Sequence, residues 1–361
     1  MVTFTTWSGW AAWPITCATA EYRAESEVMT SLAELAREHS TLERDDIDHL
    51  HRLAAEWAFL ADLCFADLLL YVRADDGKWL IVDQVRPATN QTMYVTDFVG
   101  TWADGDEALL IEEAALSGQR VEGAIGADAA DGDEGNHARL LAIPVRRGDR
   151  LVAVLTKEWI VRAGRPLGEL ERNYSHIFEE FVKMIEAGSF PFAGRVADSS
   201  AAPRVGDGVL TLDANGSVTY VSPNANSALH RVGIQANPVG MRLAELGFHD
   251  GPVRQAFERF EPIVEEFEQG ADVTLLCRCV PIVTQSEAGP GIAGGLLLVR
   301  DVTELRKRDR LLLSKDATIR EIHHRVKNNL QTISSLLRLQ ARRLTNPEAK
   351  AAVQESVRRI R

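Results

Sequence analysis

The spacing of apolar and polar positions changes period several times along the chain, and each change predicts a different element. In DDIDHLHRLAAEWAFLADLCFADLL, Ile47, Leu50, Leu53, Trp57, Leu60 and Cys64 recur at threes and fours, which places them on one helical face. Residues 30–65 are therefore expected to be helical. The next run, LLLYVRADDGKWLIVDQV, sets two apolar segments around Asp-Asp-Gly and predicts a β-hairpin. RLLAIPVRRGDRLVAVLTKE predicts another, turning at Gly148-Asp149. PLGELERNYSHIFEEFVKMIEAG opens with Pro and closes with Gly, the usual punctuation of a helix. Helix, hairpin, loop, hairpin, helix describes an α+β unit over 29–190. Its acidic, glycine-rich middle, GADAADGDEGNH, is expected to be a loop.

A linker is expected at 191–204. Beyond it, GVLTLDANGSVTYVSPNANSALH reads as strand, Asn-Gly turn, strand and a helix opened by Ser222-Pro223. DVTLLCRCVPIV and GGLLLVRDVTEL supply further strands, so 205–303 makes a second α+β unit. From 304 to 361 the period becomes purely helical. Leu312, Ile319, Ile322, Val326, Leu330, Ile333, Leu337 and Gln340 form one stripe, suited to coiled-coil or four-helix pairing with a second copy. NPEAKAAVQESVRRIR then starts a return helix, with Asn346 as cap and Pro347 in the first turn.

Charge alters this picture in one place. The 361 residues carry a net −12, yet 304–361 hold 15 Lys and Arg against 6 Asp and Glu, leaving −21 on the preceding 303. The whole chain is thus a poor ligand for nucleic acid or acidic lipid, and the basic end needs its own explanation. Cys17, Cys64, Cys277 and Cys279 make no disulfide framework for this length, which favours reduced, cytoplasmic thiols. No run of 18 apolar residues predicts a membrane span. Residues 1–28 lack the basic start of a signal peptide and read as an extension outside the fold, with Met29 a second possible start.

The basic segment contains REIHHRVKNNLQTISSLL. At 100° per residue, His323 lies about 55° from the centre of the apolar stripe and His324 about 155° from it. His324 is therefore the outward ring. Glu321 and Asn328, three and four residues away, border its face. Arg325 and Lys327 disfavour the imidazolium while Glu321 opposes them. A neutral ring nitrogen is a competent nucleophile toward phosphorus, and the cations could steady phosphoryl oxygens.

EIHHRVKNNLQTISSLLRLQARR resembles the phosphoacceptor helix of a histidine-kinase family with the motif E-x-x-H-R-x-K-N. The matching residues are Glu321, His324, Arg325, Lys327 and Asn328. Asp213, Asn215-Gly216, Tyr220, Asn224 and RDVTEL resemble a PAS domain, and 29–190 resembles a GAF domain. Together with EWAFLADLCFADLLLYVRADDG and TDFVGT, the order GAF, PAS, phosphoacceptor helix resembles the cytosolic sensor kinases of an actinobacterial phosphorylation-dependent transcription antitermination system. The resemblance implies that His324 takes the γ-phosphoryl group of ATP, with Glu321 as base or orienting acceptor. Arg325, Lys327 and Asn328 would position phosphate or the ATPase domain. It further implies a homodimer through 304–361 and transfer to an aspartate of a response regulator with an RNA-binding antiterminator output.

ATP and Mg2+ would serve the full-length kinase. No D-x-G-x-G motif occurs in these 361 residues, so ATP is not expected to bind them alone. The G-x-G-x-x-G at 289–294, GPGIAG, lies between strands without a following helix and is expected to be a hairpin loop.

Elsewhere the residues favour packing over chemistry. Cys277 and Cys279 share a strand face with Val273 and Leu275, a spacing that rarely meets disulfide geometry, so buried packing outweighs a redox or metal sensor. Cys64, Trp57 and Phe59 read as core. His49 and His51 are about 200° apart on a helix and cannot share a metal. No residue set names the sensed small molecule or a cofactor for it. Two other functions remain open: a ligand-sensing dimeric scaffold without phosphotransfer, and a basic helix tracking nucleic-acid phosphates. Sparse aromatics around the cations weigh against the second.

Overall fold

The computed structural model describes residues 31–88, 92–126, 136–162, 168–193, 202–269, 273–286, 289–343 and 346–359. The first unit begins with α1 (Leu32–His39) and α2 (Arg44–Cys64). The expected single helical stretch is broken at Ser40–Glu43. There Ser40 Oγ accepts from Leu42 N at 3.4 Å, and Asp46 closes a capping box onto Glu43 N at 3.1 Å. β1 (Asp67–Arg73) and β2 (Trp79–Val85) form the first expected hairpin, β4 (Asn136–Arg147) and β5 (Arg150–Arg162) the second. Two elements were not anticipated, α3 (Gly105–Ser117) and β3 (Val121–Ile125). α4 (Glu169–Glu186) completes the unit. Its five strands run in the order β2-β1-β5-β4-β3, every pair antiparallel. The acidic loop at 127–135 lies outside the described residues.

The second unit contains β6 (Val209–Asp213), β7 (Val218–Val221), α5 (Pro223–Arg231), a 3₁₀ turn (Leu243–Leu246), α6 (Gly251–Arg259), β8 (Ile263–Gln269), β9 (Val273–Ser286) and β10 (Gly289–Asp301). Ser222 caps α5 through its hydroxyl and Pro223 occupies the first turn, as expected. The sheet order is β7-β6-β10-β9-β8, again antiparallel throughout. GPGIAG is not a loop, contrary to expectation: it is the first half of β10, paired with β9. Gly294, which ends it, and the following Gly295 serve close packing. A Cβ on Gly294 would collide with the Leu212 carbonyl, and one on Gly295 with the Phe257 ring.

Strand alternation explains how the layers stack. In β1, Leu68, Leu70 and Val72 face α2 and α4, whereas Leu69 and Tyr71 face α3. In β9, Leu275, Cys277 and Cys279 face α5 and α6, whereas Val280 and Ile282 on the other register join the core around α2 and α4. One helical layer thus lies between the two sheets and fills both. Phe59 and Phe181 of that layer meet edge to face at 5.1 Å, and Phe190 adds rings at 6.2 and 5.4 Å. Here the structure corrects the sequence reading. The expected linker begins inside this core, with Phe190 and Phe192 both buried, because the sheet of the second unit needs apolar cover on its outer face.

Both units lead into α7 (Thr303–Arg343), followed by α8 (Pro347–Arg359). Asn346 accepts from Glu348 N at 3.0 Å, so the expected cap is formed. α8 folds back on the end of α7, burying Ala341 and Val357. Among the described residues no helix is long and apolar enough to cross a membrane.

Candidate phosphoacceptor site

α7 leaves the second unit from β10 almost without a connection. Asp301 Oδ1 accepts from Thr303 N at 2.9 Å, and Arg231 pairs with Asp301 at 2.9 Å. Arg306 makes a forked pair with Glu266 of β8, and Arg310 pairs with Glu268. The first two turns are therefore held on the edge strand. Beyond them the described residues from 311 to 333 are exposed.

The apolar stripe stands where its spacing placed it. Ile319, Ile322, Val326, Leu330 and Ile333 are 38–54% exposed, along a face that none of the described residues covers. Leu337, half-buried, and Gln340, exposed, continue it, whereas the exposed Leu336 and Leu339 lie about 80° and about 140° from its centre. His323, His324, Lys327 and Asn328 are all exposed. Glu321 is engaged by Arg325, whose Nε donates to Oε1 at 2.8 Å, one turn apart on the helix. The five motif residues thus share one stretch of helix, but the carboxylate next to His324 is directed to Arg325. The Asn328 backbone carbonyl accepts from Thr332 Oγ1 at 3.0 Å, and the Asn328 side chain is exposed.

A second polar cluster escaped the sequence reading. It lies between the first sheet and α3. Glu158 and Asp67 are direct partners across β5 and β1 and are almost wholly buried. Glu158 accepts from Thr156 Oγ1 at 2.6 Å and from the Tyr94 hydroxyl. Asp67 accepts from Thr92 Oγ1 at 2.6 Å and Met93 N at 2.5 Å, and the Tyr71 hydroxyl donates to Glu107 of α3. Burial pushes the Glu158 carboxyl up to about 7, reinforced by the Glu107 charge. The same burial raises the Tyr71 and Tyr94 hydroxyls. The signal was present in the sequence: Thr156 and Glu158 occupy the same strand face as Val154, so LTKE places a carboxylate on an inward register.

The remaining candidates behave as core. Burial drives the Cys64 and Cys277 thiols up to about 12 and the Cys279 thiol higher still, which suppresses thiolate chemistry. Trp57 and Phe59 are buried. His49 is buried, and desolvation, with Arg52 and Arg147, lowers it to about 4. Among the described residues no three His, Cys, Asp or Glu are grouped to hold a metal.

Residues 32–177 match the family model for the GAF domain of histidine kinase PdtaS, and residues 321–361 match the HisKA_2 histidine-kinase family, a match that begins at Glu321. The sensor histidine kinase PdtaS of Mycobacterium tuberculosis H37Rv is 43% identical over 350 residues, covering 92% of this chain and 68% of that protein. The Mycolicibacterium smegmatis PdtaS is 41% identical over the same shares. A solved structure described as the sensor region of a sensor histidine kinase superposes with a TM-score of 0.64 at 33% identity, covering 77% of this chain and all of that one. The chain belongs to the PdtaS family of sensor histidine kinases.

Proposed function

We propose that His324 is the phosphoacceptor of this sensor kinase chain and that α7 pairs with its counterpart in a second copy through the Ile319–Ile333 stripe. One observation supports this best: His324 sits about 155° from the centre of an apolar stripe that is exposed among the described residues. When two stripes close on each other, the ring stays on the outer surface, accessible to an ATP-binding region and then to a regulator.

In the reaction a ring nitrogen of His324 attacks the γ-phosphorus of Mg-ATP. The new N–P bond forms as the bond to the departing ADP oxygen breaks. The proton on the attacking ring's other nitrogen needs an acceptor or an orienting partner, and Glu321 is the nearest carboxylate along the helix. Its pair with Arg325 must first open. At their exposure of 60% and 76% this costs only about 0.3–0.5 kcal/mol. Arg325 is then free for phosphoryl oxygens, with Lys327 and Asn328 on neighbouring positions. Transfer onward would break the N–P bond as an aspartate oxygen of a receiver domain attacks phosphorus. The cations of 304–361 suit such an acidic pocket, since complementary charge speeds encounter. The resemblance to antitermination kinases extends the reading to a regulator with RNA-binding output and a small-molecule signal received upstream. A cytoplasmic setting follows from the same reading.

Full-length kinase incubated with γ-labelled ATP tests the assignment. His324→Gln is expected to lose acid-labile label at least 100-fold, while His323→Gln keeps it within about threefold. Label that survives His324→Gln, or disappears with His323→Gln alone, contradicts it.

A further inference from the structure

The two sensory units meet through an apolar layer, and apolar contact alone does not fix how one surface sits along another. Among the described residues one ion pair crosses it, beside a weaker contact in which Val283 N donates to Met184 Sδ at 3.4 Å. Glu56 of α2 and Arg278 of β9 form an ion pair whose side chains are only 3% and 8% exposed. The Arg278 guanidinium also lies 5.7 Å from the centre of the Phe59 ring. Among the described residues no other ion pair has both partners so deeply buried. Two desolvated charges stay compensated only in one relative position, so sliding the layers by a residue would strand both.

The strand that carries Arg278 also holds the start of α7. Thr274 N donates to Thr303 Oγ1 at 2.9 Å, and Val302 N donates to the Thr274 carbonyl at 3.0 Å. Thr274 and Arg278 are four residues apart on β9, about 13 Å of extended chain. That strand therefore packs on the first unit from Arg278 onward and holds the output helix through Thr274.

We propose that the Glu56–Arg278 pair is a register pin that makes the two sensory units one body, so that displacement of α2 is carried along β9 to the root of α7. This goes beyond the phosphoacceptor assignment and does not depend on it.

The chain contains its own reporters. Of the seven tryptophans, Trp57, Trp79, Trp102 and Trp159 lie in the first unit and none in 205–303, whereas Cys277 and Cys279 are buried in the second. In the unmodified chain, the denaturant transition followed by Trp fluorescence is expected to coincide with exposure of Cys277 and Cys279, read by thiol labelling and peptide mass spectrometry. In Arg278→Met, native-buffer labelling of these thiols should accelerate at least tenfold and amide exchange at 303–306 at least threefold, with the Trp spectrum unchanged. Glu56→Leu combined with Arg278→Met should return both rates to within threefold of the parent, because no buried charge is left alone. Arg73→Met, which removes an exposed pair with Glu112 in the first unit, should change neither. If Arg278→Met fails to fold, Glu56→Gln supplies the milder case, with an expected threefold acceleration of labelling. Separate transitions in the parent, unaltered rates in the single variants, or a double variant as fast as Arg278→Met would overturn the proposal.

Discussion

α2 and α7 are both amphipathic helices dense in charged residues, and they meet opposite fates. α2 has a sheet on each side; even its polar Asp46, His49, Glu56 and Asp62 are buried along with the apolar positions. Each of the three carboxylates has a partner there: Arg147 and Arg150 for Asp46, Arg278 for Glu56, and the Ala88 amide for Asp62. α7 keeps an equally regular apolar stripe in the open, and its charges stand exposed around it. The difference separates two uses of polar residues. In α2 they fix the packing of a finished core; in α7 they surround a face that is still to be covered, with His324 on the far side from it.

The largest effect should come from the shared layer. Phe181 is fully buried against Phe59 and Phe190, so Phe181→Ala should cost about 3–5 kcal/mol in denaturant unfolding. Because one layer fills both sheets, the loss should appear in the Trp signal and in Cys277 labelling together. Loss confined to one of them would break the contrast between a unified sensory body and a separate helix.

The next effect is pH dependent. Glu158 is raised from an ordinary 4.5 to about 7 by burial, so the unfolded chain ionises first as pH rises. The stability this group provides is present below about pH 4.5 and is lost progressively as pH rises to about 7, then stays constant. The full difference is on the order of 3 kcal/mol. Glu158→Gln should flatten that part of the profile. Denaturant unfolding at pH 5 and pH 8 checks it; identical slopes in parent and variant would refute the assignment.

The smallest effect belongs to α7. Arg325→Met removes the exposed pair with Glu321 and should change helix stability by no more than about 0.5 kcal/mol in thermal circular dichroism. A loss of several kcal/mol would mean that the pair is structural, and that Glu321 is not free to act at His324.

Local chemistry carried much of this architecture into the sequence. Both hairpins of the first unit, the Ser222-Pro223 helix start and the Asn346 cap depend on neighbours within a few residues. So does the α7 stripe, whose period is set by one helix alone. What stayed hidden depends on distant partners. In α3, only Ile111 and Ala114 are fully buried, because one narrow stripe rests on the sheet while Leu109 and Leu116 remain exposed, which blurs the period. β8 carries three glutamates in IVEEFEQ and reads poorly as a strand; as an edge strand it spends Glu266 and Glu268 on Arg306 and Arg310. Phe192 looked like linker because the sheet that buries it is built some 90 residues later. The Glu56–Arg278 pair spans 222 positions, beyond the reach of any spacing rule.

The site shows the same division. Motif and wheel both selected His324, yet neither could show that Glu321 is directed to Arg325.

Crosslinking between copies in the full-length kinase is the most direct test of the contrast between a stripe to be covered and a ring left outside. Cysteine is placed singly at the seam, Val326→Cys, or at the outer position, His324→Cys, and treated with a short bis-maleimide. Val326→Cys should yield mostly covalent dimer, while His324→Cys should stay uncrosslinked and accept a bulky monofunctional maleimide without loss of the dimer. Efficient crosslinking at 324 with none at 326 would place the imidazole between the helices and contradict the account.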